Sequence, residues 1–298
     1  MHKKNLAQKN HRQQIECLFA CVGAIFCLTF VSGCVFDDVG SIKDALTPKT
    51  ATQAAMEAMD PHDPDKRRVG TLDLANAPFG GSELYVKLYR ERVRTEQDPI
   101  VLAVAIKALA RHGSAEDALL IIPHLQNQQL HVRWEAAKGL QRLHNESAVG
   151  PLLVALNNDQ ESQSDVRTEA ALALGQYPQP RVFHGLVRAL DAPELAVNIA
   201  ALNSLESITS HNFGLDSSAW LAWYKAEDDQ AKDPFADHAD YVYPTYTRDD
   251  SFLETMAFWY SRTEEQPATP AGLQPSSTRS TYDQAEQGEV KDTNDNSQ

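Results

Sequence analysis

The chain has 298 residues, with 27 basic against 41 acidic side chains and a formal charge of −14. Four of the basic residues (Lys3, Lys4, Lys9, Arg12) fall in the first 33 against Glu16 alone, so the remainder is more acidic still. A surface of that sign repels phosphate backbones, which argues against nucleic acid as a partner. In chain order, the first element is the basic leader "MHKKNLAQKNHRQQIE", followed by "CLFACVGAIFCLTFVSGCVF" at 17–36, which carries no charged residue. A basic segment, an apolar segment and a small-residue exit form the pattern of a secretory signal.

Two fates fit that segment. Its 20 residues just suffice to span a bilayer core of about 30 Å. Alternatively, "VSGC", with Val31, Ser32 and Gly33 before Cys34, resembles the bacterial lipobox. The resemblance implies that residues 1–33 are removed as a lipoprotein signal peptide and that Cys34 is acylated, and this reading is preferred. Cys17, Cys21 and Cys27 would leave with the signal, so no disulfide, thiolate metal site or cysteine nucleophile is expected in the mature chain. Positive charge before the apolar run and Asp37 and Asp38 after it predict export under either fate. Val35 after the cysteine favours an outer membrane by the sorting rule of some lipoproteins. Residues 34–60 read as a membrane spacer with a short helix across "KTATQAAMEAM".

Residues 61–228 repeat. "VRWEAAKGL" at 132–140, "VRTEAALAL" at 166–174 and "VNIAALNSL" at 197–205 align on their valines, with "VLAVAIKAL" at 101–109 and "KRRVGTLDL" at 66–74 earlier. Small and apolar residues at i, i+4, i+5 and i+8, such as Val132, Ala136, Ala137 and Leu140, make a helical stripe rather than a strand alternation. The paired alanines leave room for a neighbouring helix, and Gly70 and Ala105 keep the same place small. Turn-rich breaks separate each such helix from a second apolar one: "EDALLIIPHLQ", "AVGPLLVALN", "PRVFHGLVRAL" and "SSAWLAWYKA". Pairs this short bury both faces only by stacking, so the expected fold is all-α: an α-solenoid of about five helix pairs with disordered termini.

The period near 31 and the "VRxEAAxxL" core resemble the HEAT-like repeats of the phycobilisome-lyase type. "VRWEAAKGLQRLHN", "ALGQYPQPRV", "LAVNIAAL", "NFGLDSSAWLAWYK" and "YVYPTY" are similar, over about residues 60–260, to a group of bacterial envelope HEAT-repeat lipoproteins. The resemblance implies a solenoid and an interaction role, and brings no catalytic residues or cofactors. It departs at "TSHNFG", where the group has Thr-Gly-x-x-Phe-Gly, which puts the turn before the last helix in question.

Ten histidines invite a metal site, but there is no HExxH and no repeated His-Glu pair; His112, His124, His131, His144, His184 and His211 are scattered singly. Gly80 and Gly81 lack the rest of a nucleotide fingerprint. Arg133 and Arg167 recur at one repeat position, near Asp165 and the loop acids, and read as inter-repeat ion pairs rather than an anion-binding ladder. Trp220, Trp223 and Tyr224 on the last helix read as a structural cap over the open end, continued by an aromatic strap at 229–260 holding Tyr241, Tyr243, Tyr246, Phe258, Trp259 and Tyr260. Residues 261–298 are polar and expected to be disordered. The residues assigned to partner binding are Trp134, His124, Gln128, His184 and Arg188. The expected function is a non-catalytic scaffold for an envelope protein, with a lyase-like enzyme or a transient assembly factor as alternatives.

Overall fold

The computed structural model describes residues 50–244 and 267–273. The signal segment, Cys34, most of the spacer, and Tyr246, Phe258, Trp259 and Tyr260 lie outside them. The chain divides into Met1–Thr50 and Ala51–Gln298, and every described helix belongs to the second unit.

Among the described residues the architecture is helical and no strand is formed. A lead helix α1 (Ala51–Ala58) is followed by five pairs. The first helices of the pairs are α2 (Pro64–Asn76), α4 (Pro99–His112), α6 (Leu130–Gly139), α8 (Ser164–Leu174) and α10 (Leu195–Thr209). The second helices are α3 (Glu83–Thr95), α5 (Ala118–Ile121), α7 (Val149–Leu156), α9 (Pro180–Ala189) and α11 (Ser217–Asp229). Asp63 and Asp98 each cap two backbone N–H groups in front of a proline at the first helical position, where the missing N–H is harmless. The stretch "EDALLIIPHLQ" is not one helix. Pro123 interrupts it, leaving α5 between two 3₁₀ segments, Ala115–Asp117 and Ile122–Gln126.

The stripe read from the sequence is the core. Val132, Val166 and Val197, the alanines at 136, 137, 170, 171 and 201, and the leucines at 109, 140, 174 and 205 are inaccessible to solvent. Gly70 makes the closest approach: a Cβ there would sit 2.3 Å from the backbone nitrogen of Ala58 and 2.6 Å from the carbonyl oxygen of Ala54. Alanine is the better helix former by about 1 kcal/mol, yet Gly70→Ala cannot be accommodated unless α1 moves away. The expected outcome is a net loss of about 1–3 kcal/mol, typical of overpacking, with amide-exchange protection lost selectively in residues 51–58.

Polar side chains tie each unit to its neighbour through carbonyls left open at helix ends. The His112 ring is 2.8 Å from the Ala75 oxygen, Gln176 donates to Leu140, and Ser204 donates to Ala171. The turn after α10 keeps a left-handed residue where the resembling group has glycine, with Ser210 in its place at φ +56°. The Ser210 hydroxyl donates to the carbonyl of Asp237.

The polar tail departs from expectation at residues 267–273. Ala268 and Pro270 are buried, and Ala271 pairs in parallel with Leu143. This stretch, "PATPAGL", is the small, proline-containing part of the tail. Prolines restrict the free chain, so less entropy is lost on docking.

Candidate functional site

Arginines at one repeat position form the first polar feature. Arg67 makes two parallel bonds of 2.9 Å to Glu96, and Arg133 bonds Glu161 at 2.5 and 3.1 Å. Arg167, 1 % exposed, donates to Glu194, to Asn158 at 2.6 Å and to the carbonyl of Glu161 at 2.7 Å. The acids lie in the loops that enter the next unit, and they also receive backbone N–H groups there: Gln97 and Asp98 on Glu96, Gln163 on Glu161. Each such carboxylate therefore fixes a preceding arginine and a following helix start together. Burial works to raise Glu96, but the hydrogen bonds and charge of Arg67 outweigh it and hold the carboxyl below its usual range. Leu102 and Asn198 take this position in the second and fifth units, and Asn198 donates to the carbonyls of Ala189, Leu190 and Ala192. A polar cleft of about 480 Å³ opens over the Arg133–Glu161 pair, with Asn127, Val154, Asn158 and Gln160 in its walls.

The residues assigned to partner binding do not converge there. Gln128 is exposed beside the cleft, and its carbonyl accepts from Arg133 at 3.1 Å. His124 is half-buried; burial lowers its pKa against a hydrogen bond with the Val93 backbone, so the neutral ring is favoured. Trp134 is half-buried on α6, with the Lys138 ammonium 4.3 Å from the ring centroid. His184 and Arg188 are exposed one turn apart on α9. His184 meets Tyr224 edge-on at 5.1 Å, which places it at the rim of the terminal aromatic cluster. At the centre of that cluster Trp220 is fully buried, crossing Phe213 at 5.0 Å and donating its indole N–H to Gly214 at 2.9 Å. Trp223 and Tyr224 are half-buried on the same helix, Tyr224 stacking on Phe183 at 4.6 Å.

A second polar cluster, largely buried, lies on α6 and α8 and in the turn after α6. Glu135 and Glu169 are each 8 % exposed, and Gln141 donates to a Glu169 carboxylate oxygen at 2.6 Å. Burial pushes the Glu135 carboxyl up and the Lys138 ammonium down. The aromatic strap lies nearby. Tyr241 donates to the Leu172 carbonyl at 3.0 Å, and the Tyr243 ring sits 4.5 Å from the Arg142 guanidinium. Burial holds the phenols of Tyr177 and Tyr241 protonated, so Tyr241 stays a donor. Beside them the Arg142 carbonyl and the His144 N–H hold Ala271, both bonds at 2.9 Å. This main-chain site was not found by sequence reasoning; its available signal was the compact "TPAGL" inside a polar tail. Among the described residues no group of three or more His, Cys, Asp or Glu is arranged to hold a metal.

The family model for HEAT repeats matches residues 86–165, and that for the PBS lyase HEAT-like repeat matches residues 166–192. The chain carries HEAT-like repeats. A curated relative, phycocyanobilin lyase subunit alpha of Nostoc sp., is 31 % identical over 105 residues, which are 33 % of this chain and 38 % of the relative. The chain thus spans well under half of that protein. Among solved structures, a designed armadillo repeat protein in complex with the peptide (KR)4 is 17 % identical with a TM-score of 0.44, covering 60 % of this chain and 92 % of that one.

Proposed function

We propose that the chain is a non-catalytic scaffold for protein partners, exported and held at the cell envelope through lipid on Cys34. The observation that supports the scaffold role is that the stacked units already seat a non-helical segment of chain, residues 267–273, through main-chain bonds. Repeating helix pairs build an elongated surface whose loops recur at fixed spacing, a geometry suited to an extended partner. The anchor rests on "VSGC" after an uncharged segment. Acylation with more than one chain would give stable membrane residence.

The test is affinity capture of the tagged full-length protein from mildly cross-linked envelopes, beside Cys34→Ala. The expected result is a reproducible partner whose recovery falls when the anchor is lost, with the variant moving to the soluble fraction. A protein that comes down alone, or a variant that stays in the membrane, would count against the scaffold or the anchor respectively. A second reading, a lyase-like activity, is favoured by the identity to the phycocyanobilin lyase subunit. It predicts a shift in the absorbance spectrum when purified protein meets phycocyanobilin, and the scaffold reading predicts none.

A further inference from the structure

The turn after α6, inside the third unit, receives the tail as if it were a separate peptide. Arg142 supplies a carbonyl and His144 an N–H to the two sides of Ala271, the exchange by which an added strand pairs with an edge. Pro270 and Leu273 close a turn through a 3.2 Å bond, and Leu273 packs with Tyr241, Tyr243 and Ala268. Between them Gly272 takes φ +90°, and a Cβ there would stand 2.5 Å from Ala115 Cβ and 3.0 Å from the His144 carbonyl oxygen. Glycine is therefore required twice, by its backbone angle and by the space. The notch so defined reads a short apolar sequence with a central glycine: a proline and a small residue before it, a leucine after it.

We propose that the notch formed by Arg142, Leu143, His144 and Ala115 is a recognition site for Pro-Ala-Gly-Leu peptides in a β-turn, and that residues 267–273 are its resident ligand in cis. Resting on the scaffold reading, this names the partner chemistry: a turn-forming segment of a second protein carrying that sequence pattern, which binds by displacing the chain's own copy. Residues 245–266 tether the resident ligand. A ligand joined to its site within one chain competes as an intramolecular partner. A peptide arriving from outside must compete with it.

The probe is a fluorescein-labelled synthetic peptide of residues 265–275, followed by polarisation with the full-length chain. Gly272→Val in the protein ejects residues 267–273, and the variant is expected to bind the probe at least about tenfold more tightly than wild type, since the intramolecular competitor is removed. A probe carrying the same Gly→Val change should not bind. Ala115→Leu, introduced beside Gly272→Val, fills the notch and should abolish binding; Ala115 is half-exposed, so the fold tolerates the change. Equal affinity for wild type and Gly272→Val, or no binding to the variant, would overturn the proposal. If Gly272→Val lowers the main melting transition, a chain cut at a protease site inserted within 245–266 replaces it, and the same outcomes decide. Failure of the probe with partner capture intact removes the notch alone; failure of both removes the scaffold reading on which it rests.

Discussion

Arg167→Met is expected to lower the unfolding free energy by about 3–5 kcal/mol, the range for breaking a buried charged pair from one side. The guanidinium is 1 % exposed and serves three acceptors: Glu194, Asn158 and the Glu161 carbonyl. Methionine fills comparable volume, so the loss measures unpaired acceptors rather than a cavity. Glu194 is 38 % exposed and regains water, which places the result toward the low end of that range. Glu194→Gln keeps an acceptor and should cost about 1 kcal/mol, the net value of an ordinary hydrogen bond. Urea titration decides the matter. A reduced m-value would accompany the loss if the last two units come to unfold ahead of the rest, because coupling in a solenoid passes only between neighbours. A loss below about 1 kcal/mol would show that Arg167 is not a structural rung and would reopen its reading as an anion-binding residue.

Trp220→Ala carries the other large effect, about 3–5 kcal/mol for emptying a fully buried aromatic site. The indole fills the space between Phe213, Phe183 and Trp223, with ring centroids at 5.0, 6.3 and 6.3 Å. It also satisfies the Gly214 carbonyl. Its removal opens the end of the array, beyond which no further helix pair stands among the described residues. Thermal unfolding followed by far-UV circular dichroism should show a first transition confined to the last unit, and Trp220→Phe should recover part of the loss. A single unshifted transition would refute the role of Trp220 as the terminal cap.

The helical stripe was legible because it is periodic: valine, the alanine pair and leucine recur at spacings that only a stacked helix array needs. Pro123 shows where that reading stops. "EDALLIIPHLQ" has the right apolar content for a helix, but one missing N–H divides it into α5 and 3₁₀ turns. The arginines were legible for the same periodic reason, while their partners were not. Asp165 and Glu169 are the acids nearest in sequence to Arg167, yet the partner of Arg167 is Glu194, 27 residues on, and that of Arg133 is Glu161, 28 residues on. Geometry between units decides this, and a single unit's residues do not encode it. The partner-binding set shows the same limit. His124, Gln128, His184 and Arg188 were chosen by place in the repeat and Trp134 as an aromatic beside the buried stripe, and a single unit's residues do not encode which face a partner takes. The notch at Arg142–His144 acts through main-chain atoms, which leave no side-chain signature, and its ligand lay in a stretch whose composition reads as disordered.

The strap also alters the order in which the molecule can assemble. Helix pairs meet neighbours close in sequence, so their contacts form with little loop entropy and such arrays fold quickly. Tyr241 reaches Leu172 across 69 residues, and Ala271 reaches Leu143 from farther still. Both must wait until the ends of α6 and α8 are in place, and each closes a long loop whose entropic cost grows only slowly with length. The strap is thus expected to dock after the central units have formed. It makes an otherwise linear array sense whether its central units are intact.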